Sequence, residues 1–385
     1  MGLLKPLSVA KILVGCSLII CEANAEHAKN SQVTINNSQV LTESTSPQAQ
    51  ETKILKQNSA NLPIVVDAGT AKSFQDIQRA IDALPEGRQF LATVKVHGQF
   101  EVGATLQLPN YTRLDLSEAV LVLMPGLDQP MLANADQTNG NHHIEICGGR
   151  LVGNAPAKKS GESHGVSLTR VDHSRITGME IRQFAGDGIR LNGLGQKPRN
   201  AFLSSLVLEN NYQSGLNIMW ASRSVFVSNV LLRGNKVYGL RSDHSEGSYS
   251  NIQADANDGV GIFIRNIFGA NYVNLTATRN GKTGILVQGM VASLGSNWTA
   301  HNNGTSADGE FSEIVFSSDA SLSYGLTAHT AITGICAGSF NNYGKATAKH
   351  AIHMEKLTAG ASWASLQINS VVTMPTLGES ICKPK

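Results

Sequence analysis

The densest group of residues able to do acid–base chemistry lies within seven positions of one strand-like segment. Tyr238, Arg241, Asp243 and His244 occur there together, and Arg265 follows about one repeat later. Arginine binds carboxylates through two parallel hydrogen bonds, whereas histidine and tyrosine exchange protons with a reacting group. These residue types predict a catalytic site that neutralises an anionic group and moves a proton beside it.

The position of these residues is set by a phrase, Gly-aliphatic-x-aliphatic-x, that recurs six times. The copies begin at Gly165, Gly188, Gly215, Gly239, Gly261 and Gly284. A second register of asparagines runs just before these glycines, at Asn211, Asn235, Asn257, Asn280 and Asn302. A fixed period of this length in a β-rich chain indicates a solenoid, in which amides hydrogen-bond from one coil to the next. The sequence therefore predicts an all-β fold, a parallel β-helix.

Other polar and aromatic side chains are expected on the same side of neighbouring coils. Because side chains alternate across a strand, residues two and four positions after each glycine point outward. The substrate-binding residues predicted there are Arg190, Asn192, Asn217, Phe263 and Gln288, and Trp220, next to this column, is predicted to bind substrate as well. Amides would bond sugar hydroxyls, aromatic rings would contact sugar rings, and arginines would bind carboxylates. The alternative for the charged members is an ordinary surface ladder of ion pairs.

The strand-turn-strand phrasing and the coil length resemble the pectin-lyase-like superfamily of right-handed β-helices, over roughly residues 64–375. That superfamily contains pectate and alginate lyases, polygalacturonases and alginate C5-epimerases. Tyr238 and Gly239 match the epimerase motif Tyr-Gly-x-Asp-Pro-His, but Arg241 and Asp243 occupy its acidic and histidine positions, and Arg265 replaces the aspartate of the next coil. The resemblance implies a right-handed β-helix and a carbohydrate-active protein, without a match to one subfamily.

We therefore predict an enzyme that acts on an acidic, uronate-containing polysaccharide, in the first instance a lyase. β-Elimination needs a neutralised carboxylate, a base for the C5 proton and an acid for the leaving oxygen. Arg241 and Arg265, with Asn217, would neutralise the carboxylate. The candidates for proton exchange are Tyr238, His244 and Tyr249.

Three alternatives remain open at this stage. A glycoside hydrolase would use two carboxyl groups, either Asp243 with Glu246 or Glu209 with Asp255. An epimerase-like enzyme or a non-catalytic polysaccharide-binding or adhesin β-helix would use the same surface. No cofactor is predicted. Calcium could neutralise the substrate, but clustered acids of the Asp-x-Asp kind are absent, and a net charge of +2 gives no reason to expect nucleic acid.

The N-terminal 25 residues read as an export signal, which predicts a secreted or periplasmic protein without a membrane span. An apolar stretch is followed by the small-x-small sequence Ala23-Asn24-Ala25, and Cys16 offers an alternative lipid-anchor site. Residues 26–62 are polar and predict a disordered leader or spacer, and residues 63–385 a single β-helix domain. Ser73 and the apolar face that follows it predict a capping helix at about residues 73–84. Cys336 and Cys382 predict a disulfide, with free thiols as the alternative.

Overall fold

The computed structural model describes residues 63–67, 69, 71, 73–153, 161–194, 199–220, 223–307, 309–317, 330–338, 348–354 and 366–373. The predicted signal sequence, the lipid-anchor site at Cys16, the leader and Cys382 lie outside these residues. Cys147 is buried and not part of a disulfide, whereas Cys336 is disulfide-bonded. The pairing of Cys336 with Cys382 stays a prediction.

The described residues form two parallel sheets that run along a solenoid. The first sheet contains β1 (Ile64–Asp67), β2 (Ala92–Val102), β4 (Thr112–Leu123), β6 (His142–Cys147), β7 (Arg150–Val152), β9 (Asp172–Thr177), β10 (Glu180–Arg182), β12 (Arg199–Glu209), β14 (Arg223–Arg233), β16 (Gly247–Asp255), β18 (Asn271–Thr278), β20 (Leu294–His301), β22 (Thr330–Gly338) and β24 (Leu366–Thr373). The second sheet contains β3 (Leu106–Leu108), β5 (Leu132–Asn134), β8 (Val166–Thr169), β11 (Ile189–Asn192), β13 (Ser214–Met219), β15 (Tyr238–Asp243), β17 (Val260–Phe268), β19 (Ile285–Val291), β21 (Ile314–Ser317) and β23 (Ile352–Met354). The predicted parallel β-helix is thus confirmed, and its right-handed winding stays a prediction.

The core is a set of aliphatic rows that run along the solenoid axis. In the second sheet, Ile189, Leu216, Leu240, Ile262 and Ile285 pair in register from strand to strand, and all five are fully buried. Each such side chain contributes roughly 1.5–3 kcal/mol when it leaves water. Because the inward positions alternate with outward ones, this row fixes which residues of the second sheet face outward.

An asparagine ladder stacks the coils at one turn. The Nδ2 group of Asn211 donates to Oδ1 of Asn235 (3.0 Å), and the same bond joins Asn235 to Asn257 (2.9 Å) and Asn257 to Asn280 (2.9 Å). The last prediction in this register was wrong, because Asn303, not Asn302, accepts from Asn280 (2.8 Å). Asn302 has φ +59° and belongs to the bend that precedes the ladder, together with Asn210 and Arg279.

The repeated glycines are required by how closely this ladder approaches the backbone. A Cβ atom on Gly261 would lie 2.5 Å from Nδ2 of Asn280 and 2.6 Å from the carbonyl oxygen of Gly284. A Cβ on Gly239 would meet Gly261 and Asn257 in the same way. The glycine and asparagine registers are therefore one structural device, since the amide of each ladder residue occupies the space that a side chain would need.

A short helix, α1 (Phe74–Asp82), packs near the first strands. The Ser73 backbone N–H donates to the Asp76 carboxylate (3.1 Å), and Ile77, Ala80 and Ile81 are buried in the core. The helix contacts β1, β2 and β3. These contacts put it beside the first strands of both sheets, and its role as an end cap stays a prediction.

Candidate active site

The predicted site residues lie in two outward rows of the second sheet. Row one contains Arg190, Asn217, Arg241 and Phe263, which pair in register on β11, β13, β15 and β17. Row two, two residues further along each strand, contains Asn192, Met219, Asp243, Arg265 and Gln288. Neighbouring members of a row are about 4.8 Å apart. The three arginines therefore share one face, with Arg190 two coils from Arg241.

Asp243 is the centre of the charged group in these rows. One carboxylate oxygen, Oδ2, accepts from Arg241 (2.9 Å) and lies 3.7 Å from Nη1 of Arg265. The other, Oδ1, lies 2.7 Å from Nδ1 of His244. The Asp243 side chain is only 7% exposed, whereas those of Arg241 and Arg265 are each 28% exposed. The aspartate is thus held from three sides, and the two guanidinium groups remain partly open to solvent.

His244 is oriented by this bond and by an aromatic neighbour. A carboxylate only accepts hydrogen bonds, so the proton of neutral His244 lies on Nδ1 and Nε2 has a free lone pair. The imidazole stacks on Trp220, with ring centroids 5.5 Å apart and planes 7° apart. Its side chain is one-third exposed. In the neutral form of His244, this arrangement leaves Nε2 unprotonated and able to act as a general base beside two arginines.

A second polar cluster stands next to row one on the coils before Asn217. Asp187, which is 1% exposed, accepts from the Ser214 backbone N–H and from Nδ2 of Asn217, both at 2.9 Å. Burial raises the pKa of the Asp187 carboxyl, against the effect of these hydrogen bonds. A carboxylate at this position fixes the amide of Asn217, because only Nδ2 can face it.

His164 is buried beside Asp187 and is held in its neutral form. Its Nδ1 accepts from the Asp187 backbone N–H (2.9 Å), which puts the ring proton on Nε2. Nη1 of Arg190 lies 2.9 Å from that Nε2 and 3.4 Å from Glu162. Burial, followed by the positive charge of Arg190, lowers the pKa of His164 to about 4. Arg190 therefore faces a donor on one side and pairs with the exposed Glu162 on another.

The sequence reasoning did not assign roles to His164 and Asp187. Both stand immediately before a repeated glycine, the position that Ser214 and Tyr238 occupy in the next two coils. A column of polar residues at this register, in a chain whose neighbouring positions are aliphatic, was the available signal. Its meaning depends on burial, which the sequence does not give.

The aromatic candidates are placed differently from one another. Tyr238 stacks on Phe263, with ring centroids 5.1 Å apart, and Phe263 is only 6% exposed. Tyr238 therefore presents the aromatic surface that was predicted for Phe263. Trp220 is 53% exposed. Tyr249 is completely buried, where burial raises the pKa of its hydroxyl and Ser245 bonds it at 2.6 Å. The prediction that Tyr249 exchanges protons with a substrate was therefore wrong.

The two predicted amides of row two have different surroundings. The buried Asn192 side chain accepts from the Leu194 backbone N–H through Oδ1 (3.0 Å), so it holds the turn after β11. Gln288 is half-buried and pairs in register with Arg265. Asn192 thus acts first on the backbone, while Gln288 extends the row beyond the arginines.

The acidic pairs considered for hydrolysis are engaged in ion pairs. Arg233 lies between Glu209 (3.5 Å) and Asp255 (3.4 Å) on the first sheet. Asp255 also accepts two hydrogen bonds from Arg279, and although burial opposes the change, these bonds lower the pKa of its carboxyl. Glu246 lies 3.6 Å from Arg223. A ladder of surface ion pairs, which was the alternative interpretation of the charged residues on the second sheet, thus occurs on the first sheet.

The described ranges contain neither a metal cluster nor a membrane-spanning helix. No three His, Cys, Asp or Glu side chains come together there as a metal site. No helix in the same part of the chain is long and apolar enough to cross a membrane. Calcium binding stays an untested prediction.

Comparisons with known proteins find a similarity in the fold. No protein-family model matches the chain, and no curated protein does. Tailspike protein 2 from Escherichia coli O157:H7 bacteriophage CAB120 aligns with a TM-score of 0.54 and 14% identity over 80% of this chain and 42% of its own. The tailspike protein of E. coli bacteriophage HK620, solved in complex with a pentasaccharide, gives 0.53 and 13% over 84% and 65%. The A-module of the Azotobacter vinelandii mannuronan C-5 epimerase AlgE6 gives 0.44 and 15% over 78% and 96%.

These likenesses concern the architecture alone. The chain spans less than half the length of tailspike protein 2, and all three identities are 15% or lower. The predicted resemblance to the pectin-lyase-like β-helices is confirmed at the level of the fold: this chain is a parallel β-helix similar to those of phage tailspikes.

Proposed function

We propose that this protein binds a uronate-containing polysaccharide on the second sheet and cleaves it by β-elimination. The observation that carries the proposal is the arrangement around Asp243, which binds Nδ1 of His244 and pairs with Arg241 and Arg265. A base with a free lone pair thus stands beside two cations that are partly open to solvent. Base and cations are the two components that abstraction of a proton next to a carboxylate requires.

The charge of this group favours an anionic substrate. Arg241 and Arg265 place two guanidinium groups beside the carboxylate of Asp243. A substrate carboxylate would accept hydrogen bonds from these guanidinium groups. Arg190, two coils away in row one, offers a further cation that pairs with the exposed Glu162. A polymer with a carboxylate on successive sugars fits this spacing.

The elimination step is assigned to His244. Nε2 takes the C5 proton, the electron pair of that C–H bond forms the C4–C5 double bond, and the C4–O4 bond breaks. The imidazolium returns the proton to the leaving oxygen, and Asp243 stabilises the imidazolium while it exists. Tyr238 and Asp243 are five residues apart on β15, roughly 16 Å along the strand. We therefore do not assign Tyr238 to this proton transfer.

Two further observations support a polysaccharide as the substrate. The HK620 tailspike, which shares the fold, was solved with a bound pentasaccharide. Row one and row two combine amide, guanidinium and aromatic groups, which suit hydroxyls, carboxylates and sugar rings respectively. The acid pairs that a hydrolase would use are instead occupied by arginines, so hydrolysis has less support than elimination.

The test is turnover on polygalacturonate, polymannuronate and polyguluronate, followed by the ultraviolet absorbance of the unsaturated product. His244→Ala is expected to lower kcat by a factor of about 10²–10⁴, the usual contribution of a general base. Arg265→Gln is expected to raise KM and lower kcat. Asn251→Ala, on the exposed side of the first sheet, is the matched control. Absence of unsaturated product from every polymer would refute the lyase, and new reducing ends without absorbance would indicate a hydrolase.

A further inference from the structure

Trp220 belongs to a column of side chains at the corner where the second sheet ends. Trp220, His244 and Asn266 each follow a row-two residue on consecutive coils and have φ of 59°, 54° and 52°. The left-handed backbone turns the chain there, so these side chains project from the edge of the sheet. Since Trp220 and His244 stack within 7° of parallel, their ring planes lie across the solenoid axis.

Among the described residues, the other face of Trp220 has no aromatic partner. His244 covers the face of Trp220 that points toward β15, and the opposite face points toward β11. The residue in register with Trp220 is Gly193, directly after β11, because Asn192 pairs with Met219 and the Gly193 N–H donates to the Met219 carbonyl (3.1 Å). Glycine has no side chain to continue the column. The indole remains 53% exposed as a result.

The gap above Gly193 has the dimensions of a ring. Beyond it along the same corner comes Arg170, with φ 55°, whose N–H donates to the Asn192 carbonyl. Arg170 and Trp220 are therefore two coils apart, about 10 Å. Apolar atoms make contact at about 3.5–4 Å, so this separation leaves room for one ring against Trp220, while the Arg170 guanidinium donates to the Thr138 carbonyl. Leu194, held by Asn192 and 46% exposed, adds apolar surface at the edge.

We propose that this gap is a sugar-binding subsite, in which one pyranose ring of the polymer stacks on the free face of Trp220 above Gly193. The apolar C–H face of the sugar lies on the indole, and the hydroxyls at its rim remain in water. The proposal rests on the function proposed above and adds the direction in which the bound polymer lies. The bound polymer runs along the solenoid axis, from the His244 coil toward the β11 coil and Arg190.

The experiment fills the gap from the side opposite to Trp220. Gly193→Leu places an aliphatic side chain above the indole and leaves Trp220, His244 and the arginines unchanged, whereas Gly193→Ala is the matched small variant. Binding is measured by affinity electrophoresis in gels that contain polygalacturonate, polymannuronate or polyguluronate. Gly193→Leu and Trp220→Ala are expected to weaken binding roughly three- to tenfold, while Trp220→Phe retains most of it. Equal mobility of all four variants and the wild type would overturn the subsite.

Kinetics separates this subsite from the catalytic proposal. Gly193→Leu is expected to raise KM at unchanged kcat, because stacking contributes equally to the ground state and the transition state. Trp220 is exposed next to the site and Trp298 is fully buried. The third tryptophan, Trp363, lies outside the described residues and is replaced by phenylalanine in both proteins of the fluorescence test. Added polymer should then change the fluorescence of the protein that retains Trp220 but not that of its Trp220→Phe variant. Binding that depends on Trp220 without turnover would refute the lyase and support the subsite. Turnover with polymer binding that does not depend on Trp220 would support the lyase and refute the subsite. Failure of the wild type to bind any polymer would also refute the subsite.

A misfolded Gly193→Leu protein is recognised by its thermal unfolding. In that case Trp220→Ala alone decides, since Trp220 is a half-exposed corner residue whose truncation removes no core contact.

Discussion

Replacement of Glu313 by glutamine should stabilise the protein at alkaline pH. Glu313 is completely buried at the end of the asparagine ladder, where its carboxyl accepts hydrogen bonds from the backbone N–H and from Nδ2 of Asn303. Each ladder asparagine donates to the next one along the chain, so the N–H groups of the whole ladder point toward Glu313. A glutamine can accept the same bonds through its amide oxygen.

The magnitude follows from the pKa of this carboxyl. Burial raises the pKa of Glu313 from the ordinary value of 4.5 to about 7, against the effect of the hydrogen bonds from Asn303. The folded state therefore holds the proton more tightly than the unfolded state, and folding stability falls as pH rises from 4.5 to about 7. At 1.36 kcal/mol per pKa unit, the loss amounts to about 3 kcal/mol above pH 7. Glutamine does not titrate and so does not have this loss.

Urea unfolding at about pH 5 and about pH 8 measures the effect. Glu313→Gln should unfold at a higher urea concentration than the wild type at pH 8, and the difference should nearly disappear at pH 5. Glu310→Gln, an exposed residue three positions away, is the control and should change neither value. The reasoning would be refuted if Glu313→Gln were no more stable than the wild type at pH 8, or if its gain were the same at both pH values.

Two further predictions concern the interior. Asn257→Ala should lower the free energy of unfolding, measured in urea, by roughly 3 kcal/mol or more. The Leu232 carbonyl, the Asn235 backbone N–H and Nδ2 of Asn235 each lose a hydrogen bond, and each buried group left unpaired costs about 1–3 kcal/mol. An effect below 1 kcal/mol would mean that the ladder does not hold the coils together. His164→Gln should remove an acid-induced loss of stability. Because the pKa of His164 is lowered to about 4 in the folded protein, the stability present above pH 6.5 is lost as pH falls toward 4. Thermal unfolding of the wild type and the variant across this pH range tests the prediction, and parallel curves of unfolding temperature against pH would contradict it.

The sequence was sufficient to predict which residues share a row. The strict alternation of aliphatic and outward residues after each glycine fixes the face of the sheet, and the repeat fixes the register. Arg241, Asp243 and Arg265 were therefore expected to meet, and they do. The same reasoning failed at Asn302, because two consecutive asparagines satisfy the same period and only one of them can occupy the ladder.

The sequence did not predict the burial and the hydrogen bonding of each side chain in the candidate site. Tyr249 follows the charged segment closely in sequence, yet its strand turns it into the core, where it stacks on Tyr272. Phe263 points outward but is covered by Tyr238, and Asp187 lies beneath Asn217 without any motif to mark it. Each of these outcomes depends on contacts between residues that are 20 or more positions apart.

The sequence by itself determined the solenoid, because a repeated local pattern allows each coil to bury its aliphatic residues only against the next coil. Only the tertiary structure decided which polar groups are free to act. Hydrogen bonding and burial are properties of the assembled coils: Asp243 orients His244, Gly193 leaves one face of Trp220 open, and Glu313 ends the ladder because of the neighbours that stacking brings to them. The repeat period specifies which residues become neighbours, whereas the chemistry of a side chain depends on how completely those neighbours surround it.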